Sequence, residues 1–291
     1  MIALTGASGY IGSHLLQVLE AEGRAVRALS RSPERLPGGA STTEIVEADL
    51  LDASTLERAL DGAEALVYLA HGLGGDDFAR NDRQAATNAA EAAEAARVER
   101  IVYLGGLGRG DDLSAHLRSR QEVGRILRES EVPTAELRAS IVLGEGSASY
   151  DLLSAVVDHV PAAAVPDWAR SDAQPIHVDD VVAYLRAALD VDLPASTIYE
   201  IGGPDRLSYL DLMNLYATEH ELTRFFVPVP VLPGVDLWQR ALERVAPERL
   251  TVWLRLVESL RNETTVQDDA AERDFPDVRP RPVVEALRAA A

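Results

Sequence analysis

A histidine and an arginine lie four residues apart near the middle of the chain, at His116 and Arg120. Residues 115–129 are predicted to be helical, which places both side chains on one face. Histidine is an adequate acid or base near neutral pH. A permanently charged arginine beside it lowers the pKa of the imidazole and favours its neutral form. The pair therefore predicts an acid–base site, better suited to a general base than to an acid. The alternative is that both are ordinary helix residues.

Glycines near the start of the chain have the spacing of a phosphate-binding turn. Gly6, Gly9 and Gly12 lie between a short apolar strand and a helix. The first permits a tight turn, the second lets the backbone approach a pyrophosphate, and the third lets the helix pack closely on the strand. Free N–H groups at the helix start then bind the phosphates. The residues predicted to hold a dinucleotide here are Gly6, Ser8, Gly9, Tyr10, Ile11 and Gly12.

An arginine follows the second predicted strand, where dinucleotide-binding chains contact the adenosine ribose. Enzymes that use NAD usually have Asp or Glu at this point, whereas this chain has Ser30 and Arg31. The planar arginine fork suits a 2′-phosphate, which a carboxylate would repel. Arg31 therefore predicts NADP(H) in preference to NAD(H). The alternative is an arginine that is only solvated in a loop.

The ends of the third and fourth predicted strands add to this site. In such a fold Asp49 and Leu50 lie beside the adenine, and Ala70 and His71 border the nicotinamide ribose. Small residues at the second of these places let the backbone approach the ligand. His71 is predicted either to contact the ligand or to stand behind the residues that do.

The composition excludes several classes of partner and site. The 291 residues have a formal net charge of −19, which argues against nucleic acid because phosphate binding needs a basic face. The chain has no cysteine and all 28 basic residues are arginine, so disulfides and thiolate sites are excluded. The six histidines lack metal-ligand spacing, and no metal is predicted. Without a long apolar run or a signal-peptide pattern, we expect a cytoplasmic protein with no membrane span.

Motifs spread along the chain resemble those of the atypical short-chain dehydrogenase/reductases with extended-type layout. The resemblance is in particular to the NmrA-like group and to bacterial relatives of the Rossmann accessory subunit of respiratory complex I. The motifs are TGASGYIG (5–12), ALSR (28–31), EADL (47–50), VERIVYLGGLG (98–108), LRASIVLGEGS (137–147), QPIHVDDVV (174–182) and YEIGGP (199–204). The resemblance implies an α/β fold with a doubly wound parallel Rossmann sheet. The alternation of predicted strands and helices agrees independently.

The resemblance also implies a smaller, mostly helical C-terminal lobe. Residues 1–146 are predicted to form the Rossmann domain, with 174–203 returning to it. Residues 147–173 and 204–266 are predicted to form the C-terminal lobe, followed by a tail, 267–291, packed on the body. A small-molecule substrate is expected in a cleft between the two bodies. Bulky aromatic residues of the lobe are expected to line that cleft or, as the favoured alternative for each, to fill a small core: Trp168, Trp238, Trp253, Phe225 and Phe226.

Related dehydrogenases carry a serine after the fifth strand and Tyr-x-x-x-Lys on the next helix. The resemblance places Gly106, His116 and Arg120 at those three positions. It implies that Arg120 contacts the nicotinamide ribose and that His116 meets the substrate, in place of the tyrosine that exchanges a proton. The serine hydroxyl that polarises a carbonyl is missing, so the proton chemistry must differ from the family pattern.

Three functions therefore stay open. The first is an NADP(H)-dependent oxidoreductase for an apolar small molecule, with His116 and Arg120 as catalytic residues. The second is a non-catalytic NADP(H)-binding redox sensor or assembly factor, which the altered Ser-Tyr-Lys set favours. The third is an epimerase or dehydratase, which the altered set disfavours because that chemistry also needs a competent base. If His116 is not the acid–base group, bound water or a tyrosine of the C-terminal lobe is expected to replace it. The sequence predicts neither the substrate nor the oligomeric state.

Overall fold

Strands and helices alternate along most of the chain, as the sequence pattern predicts. The structure, a computed structural model, describes residues 1–36, 40–72, 77–160, 162–229 and 249–290. The strands in these residues are β1 (Ile2–Thr5), β2 (Val26–Ser30), β3 (Thr43–Glu47), β4 (Ala65–Tyr68), β5 (Arg100–Gly106), β6 (Thr134–Ala139), β7 (Val142–Leu143), β8 (Ala162–Pro166), β9 (Asp172–Ala173), β10 (Ile176–His177), β11 (Thr197–Ile201), β12 (Leu207–Ser208) and β13 (Phe225–Val229).

The helices of the same residues differ widely in length. They are α1 (Tyr10–Ala21), α2 (Ala53–Leu60), α3 (Phe78–Ala95), α4 (Ala115–Glu129), α5 (Ala148–His159), α6 (Val178–Ala188), α7 (Tyr209–Glu219), α8 (Leu250–Ser259), α9 (Ala270–Asp274) and α10 (Val283–Ala289). Among these described helices, none has both the length and the apolar character needed to cross a membrane.

A seven-stranded sheet forms the centre of the fold, in the spatial order β11-β6-β5-β4-β1-β2-β3. Every neighbouring pair in it is parallel. Successive strand residues point to opposite faces, and each face has an apolar cluster. Ile2 and Leu4 of β1 pack with α1 and α6, whereas Ala3 packs with α2, α3 and α4. Helices thus cover both faces, and the predicted doubly wound α/β fold is confirmed.

The C-terminal lobe has an apolar cluster of its own. Leu153 of α5, Leu212 of α7 and Trp253 of α8 lie in it. Two small sheets accompany these helices, with β9 antiparallel to β12 and β8 parallel to β13. The return to the main sheet occurs through β11, which pairs with β6, and through α6, which packs on α1.

The tryptophans and phenylalanines of the lobe do not line the cavity where the structure describes them. Trp253 is 2% exposed and fills the core, which was the favoured alternative. Phe226 packs against the same core, and Phe225 is 66% exposed on β13. Trp238 and the side chain of Trp168 lie outside the described residues.

The end of the chain contacts both bodies. Ala271 of α9 and Phe275 lie in the cluster on the α1 face of the sheet. Val283 and Leu287 of α10 lie in the cluster of the C-terminal lobe. The last helices therefore join the lobe to the sheet through apolar packing.

A buried carboxylate connects α4 to the sheet. Glu136 of β6 is 0% exposed. It accepts hydrogen bonds from Arg128 Nε at 2.6 Å and Arg138 Nε at 2.8 Å. A buried charge is tolerated only when it is paired in this way. Gly124 provides the space, because a Cβ atom at that position would lie 2.3 Å from a carboxylate oxygen of Glu136.

Replacing Gly124 by alanine should destabilise the protein, although alanine is the better helix former by about 1 kcal/mol. The new methyl group would collide with the Glu136 carboxylate, and overpacking of this kind costs about 1–3 kcal/mol. Urea unfolding should therefore give a lower midpoint for Gly124→Ala than for the parent. In a Glu136→Ala background the same change should cost less, because the methyl group then has space. A single variant as stable as the parent would contradict the clash.

Candidate functional site

The residues predicted to bind a cofactor follow the ends of adjacent strands. Gly6 follows β1, Arg31 follows β2 and Asp49 follows β3. Ala70 and His71 follow β4, the other neighbour of β1. The carboxyl ends of parallel strands meet at one edge, so these positions border one crevice. It lies at the point where the strand order reverses, which is where ligands bind in doubly wound folds.

The turn after β1 is built on close backbone contacts. Gly6 has a φ of +70°, and a Cβ atom there would lie 3.0 Å from the carbonyl carbon of Leu69. A Cβ atom on Gly12 would lie 2.1 Å from the carbonyl oxygen of Gly6. Helix α1 can therefore approach the turn only because residue 12 has no side chain. At Gly9 a Cβ atom would meet only the Gly6 oxygen, at 3.1 Å, so its Cα faces open space.

The start of α1 is left open for a ligand. Gly9 is the N-cap residue, no side chain caps the helix, and the first turn contains no acidic residue. By contrast, α4, α5 and α7 each follow a serine whose hydroxyl accepts a backbone hydrogen bond. Ser8 is exposed, and Tyr10 and Ile11 are half-buried beside it. Uncapped N–H groups bind anions, so this turn fits the pyrophosphate of a dinucleotide.

Arg31 is exposed just after β2, and no described residue forms a hydrogen bond or an ion pair with it. The predicted adenine neighbours are engaged locally. Asp49 accepts a hydrogen bond from Leu51 N at 3.0 Å, and the Leu50 carbonyl accepts one from the Asn88 amide at 2.8 Å. These two hydrogen bonds fix the loop after β3. The Arg31 guanidinium has no such partner and is available to an anionic group of a ligand.

Arg120 lies under the end of β5. Its guanidinium donates to the Leu104 carbonyl and lies 5.8 Å from the centre of the Tyr103 ring. A Cβ atom on Gly106 would lie 3.0 Å from Leu117 and 3.5 Å from Arg120 Cδ, so a serine would be crowded there. Within the described part of the chain, no carboxylate forms an ion pair with Arg120. Its charge is therefore available to a ligand.

His116 lines the cavity described below, and its role as an acid–base group stays a prediction. Its Nε2 is enclosed without a hydrogen-bond partner, and its Nδ1 lies 3.4 Å from Ser259 Oγ. Burial, and then the charge of Arg120, lower the pKa of His116 to about 3. The ring is therefore neutral near pH 7. The C-terminal lobe supplies the serine beside Nδ1, which the local sequence around His116 does not predict.

Side chains of α8 and the residues after it hold the start of α4. Ser259 Oγ lies 2.9 Å from Ser114 Oγ. The side-chain oxygen of Asn262 accepts from Ser114 N at 3.1 Å, and its amide donates to the Asp112 carbonyl at 2.9 Å. Sequence reasoning missed these contacts because no local spacing relates positions so far apart in the chain.

His71 has a ring exposed to the crevice. Its centre lies 6.4 Å from the centre of the His116 ring, and its Nδ1 lies 3.4 Å from the Leu69 carbonyl oxygen. Desolvation of the ring by the surrounding protein lowers the pKa of His71, and the positive charge of Arg120 lowers it further. Although one side of the ring is open to solvent, the neighbouring cation favours its neutral form.

Asp82 of α3 joins the loop after β4 to α4. This carboxylate is buried. One oxygen accepts from Gly72 N at 2.8 Å and the other from Ser119 Oγ at 3.0 Å. Gly72 is the neighbour of His71, and Ser119 is the neighbour of Arg120. The bridge therefore fixes the relative positions of the two predicted site residues.

A cavity of about 370 Å³ opens between the strand ends and the C-terminal lobe. On the cofactor side it is lined by Tyr10, Ile11, His71, His116 and Arg120. Its apolar wall includes Leu104, Leu107, Ile141, Leu152, Leu256 and Leu260, and its polar groups include Ser140, Thr264 and Tyr209. No group of three His, Asp or Glu side chains in the described residues could hold a metal ion. The cavity is therefore an apolar pocket with few polar groups.

The chain resembles known proteins in sequence over much of its length. Residues 6–142 match the model of the family described as NAD(P)H-binding. A ceramide reductase from Caulobacter vibrioides is 28% identical over 191 residues, which cover 64% of this chain and 60% of that protein. The chain therefore spans less than two thirds of the length of this relative.

Solved structures share the fold over almost the whole chain. A triphenylmethane reductase from Citrobacter sp., complexed with NADP(H), has a TM-score of 0.78 at 17% identity and covers 100% of this chain and 99% of its own. An NADPH-dependent quinone oxidoreductase from Escherichia coli, complexed with NADPH, has a TM-score of 0.76 at 20% identity and covers 99% of both chains. At these identities the likeness concerns the fold alone. The resemblance predicted from the motifs is confirmed, in that residues 6–142 match the model of the family described as NAD(P)H-binding.

Proposed function

We propose that this chain is an NADP(H)-dependent reductase for an apolar small molecule that carries a carbonyl, an enone or a related acceptor. The observation that carries the proposal is the apolar cavity of about 370 Å³ beside the glycine turn and Arg120. A concave apolar site with few polar groups is typical of small-molecule binding. A reduced nicotinamide cofactor, when bound, supplies the hydride, and the protein supplies binding, orientation and electrostatics.

The residues of the chain have separate tasks in this proposal. The open start of α1 at Gly9 binds the pyrophosphate, and Arg31 binds the 2′-phosphate. Arg120 holds the nicotinamide ribose and adds a fixed positive charge beside the reacting carbon. His71 and His116 are neutral and add no further charge. The apolar wall excludes water, which strengthens the remaining electrostatic contacts.

A sensor that binds NADP(H) without turnover is the second candidate. It is favoured by the enclosed Nε2 of His116 and by the glycine at position 106. Oxidation of NADPH across a panel of apolar carbonyls and enones separates the two candidates. A quinone and a triphenylmethane dye belong in the panel because they occur in the names of two proteins with the same fold. Acceptor-dependent oxidation supports the reductase, whereas tight NADPH binding without oxidation of any acceptor supports the sensor.

Arg31→Ala should remove most of the preference for NADPH over NADH. A charge-assisted hydrogen bond contributes about 1.5–3 kcal/mol, which is about 10- to 150-fold in Kd. Titration of both cofactors by tryptophan fluorescence measures the preference. As a control, Arg288→Ala removes an arginine that pairs with Glu219 on the C-terminal side of the chain, and it should keep the preference. Equal affinities of the parent protein for NADPH and NADH would contradict the proposal that Arg31 binds the 2′-phosphate.

Gly9→Val should abolish cofactor binding in a protein that stays folded. The backbone of Gly9 has φ −80° and ψ 169°, which any residue adopts, and a Cβ atom would meet only the Gly6 oxygen. The valine side chain would instead fill the space that the pyrophosphate needs. Circular dichroism reports the fold and NADPH titration reports binding. Binding at the Kd of the parent would mean that the phosphates lie elsewhere.

The two predicted catalytic residues of α4 should respond differently to alanine. Arg120→Ala should weaken NADPH binding about tenfold or more, because it removes a cation and its donors from the ribose site. His116→Ala should leave the NADPH Kd almost unchanged, since its nitrogens face Ser259 and the protein interior. Fluorescence titration measures both values. Arg120→Lys keeps the charge and should retain part of the affinity.

Turnover distinguishes the roles of the same two residues. Loss of a general acid–base group lowers the rate about 10²–10⁴-fold. We expect His116→Ala to lower turnover less than about tenfold, because Nε2 is enclosed and Nδ1 faces Ser259. With a pKa of about 3, His116 should also produce no step in the pH–rate profile near neutrality. A fall of the larger size would restore His116 as the acid–base group.

A further inference from the structure

The wall that the C-terminal lobe contributes to the cavity contains a tyrosine with an unused hydroxyl group. Tyr209 is the first residue of α7, is 8% exposed and lines the cavity. No hydrogen bond joins its hydroxyl to any described residue. The enclosed side-chain oxygens and nitrogens that lack a partner in the described residues belong to Thr42, His116 and His177. The Tyr209 oxygen is not one of them, so it is not fully enclosed, and the residue lines the cavity.

The backbone that carries Tyr209 is fixed by local hydrogen bonds. Ser208 caps α7 by accepting from Asp211 N at 3.1 Å, and its hydroxyl donates to the Asp211 carboxylate at 2.6 Å. The strand β12 just before the helix pairs with β9, which places Leu207 opposite Ala173. The ring itself lies in the apolar cluster of the lobe. A donor held in this way needs little reorganisation when a ligand binds.

Two other tyrosines near the cavity contact protein groups. The Tyr103 hydroxyl donates to the Arg120 carbonyl at 2.8 Å, and the Tyr150 ring packs edge-on against Tyr216, with 5.9 Å between the ring centres. Tyr10 lines the cavity from the cofactor side, where it lies against Gly144, so its effect belongs to cofactor binding. Tyr209 is the tyrosine that faces the cavity from the C-terminal lobe.

Tyr209 keeps its hydroxyl proton at ordinary pH and can donate a hydrogen bond. Burial raises the pKa of its hydroxyl well above the usual value, so the group stays protonated. A protonated hydroxyl in an apolar pocket has one strong use, which is to donate to an oxygen of the bound molecule. Without such an oxygen, the group would be desolvated and unpaired.

We propose that the Tyr209 hydroxyl donates the hydrogen bond that holds the oxygen of an apolar carbonyl or quinone in this cavity. The C-terminal lobe thereby supplies the donor that related dehydrogenases supply from the positions of Gly106 and His116. A role of this hydrogen bond in turnover rests on the proposed reductase function. The hydrogen bond itself is a property of ligand binding and can be measured without turnover.

Two probes of the same ring system test the contact. Menadione carries quinone oxygens, and 2-methylnaphthalene lacks them. Tyr209→Phe should weaken menadione binding about 2- to 12-fold, the range of one neutral hydrogen bond, and should leave 2-methylnaphthalene within about twofold. Calorimetric titration of the full chain gives both Kd values. Tyr150→Phe is the matched control, because it removes a hydroxyl from the same lobe outside the cavity and should change neither value.

Several outcomes would overturn the proposal. They are an unchanged menadione Kd in Tyr209→Phe, an equal loss for both probes, and a parent protein that does not bind menadione. Oxidation of NADPH by menadione is followed in parallel and tests the reductase function separately. Tyr209-dependent binding without oxidation would refute the reductase and leave the hydrogen bond standing. Oxidation that Tyr209→Phe does not slow would refute the role of Tyr209 and leave the reductase standing.

Discussion

The contact between α1 and the turn before it sets the geometry of the crevice. A Cβ atom on residue 12 would come within 2.1 Å of the Gly6 carbonyl oxygen, so the helix lies as close to β1 as a backbone allows. The same turn touches the chain at Leu69 and Ala70, where β4 ends. The uncapped helix start, the glycine turn and the exit of β4 are therefore held together by backbone contacts. No side chain can be added at Gly6 or Gly12 without moving one of them.

Charge is distributed unevenly in this acidic protein. In this chain of net charge −19, many arginines have a carboxylate nearby, as Arg27 has Glu44 and Arg128 has Glu136. Arg31 and Arg120 have none among the described residues, and both border the crevice. A cation beside apolar protein is unfavourable unless an anionic or polar group of a ligand pairs with it. In the proposed function these two arginines bind anionic and polar groups of the cofactor.

Local sequence patterns predicted the sheet and the crevice. Tertiary contacts determine the surroundings of His116 and the orientation of Tyr209, which those patterns did not predict. The glycine spacing and the strand ends depend on short segments, so Gly6, Arg31 and His71 were placed at one edge from the sequence. The surroundings of His116 depend on Ser259, which lies 143 residues further along the chain. Tyr209 likewise gives no signal in its own segment, because only the packing of α7 turns it toward the cavity. Trp253 fills the core of the lobe, which was the alternative favoured from the sequence.

The Asp82 bridge has a mechanical consequence. One carboxylate holds the loop that carries His71 and the helix that carries Arg120. A shift of either element would stretch a buried hydrogen bond to the same carboxylate. Displacing one side of the crevice therefore carries a free-energy cost at the other side.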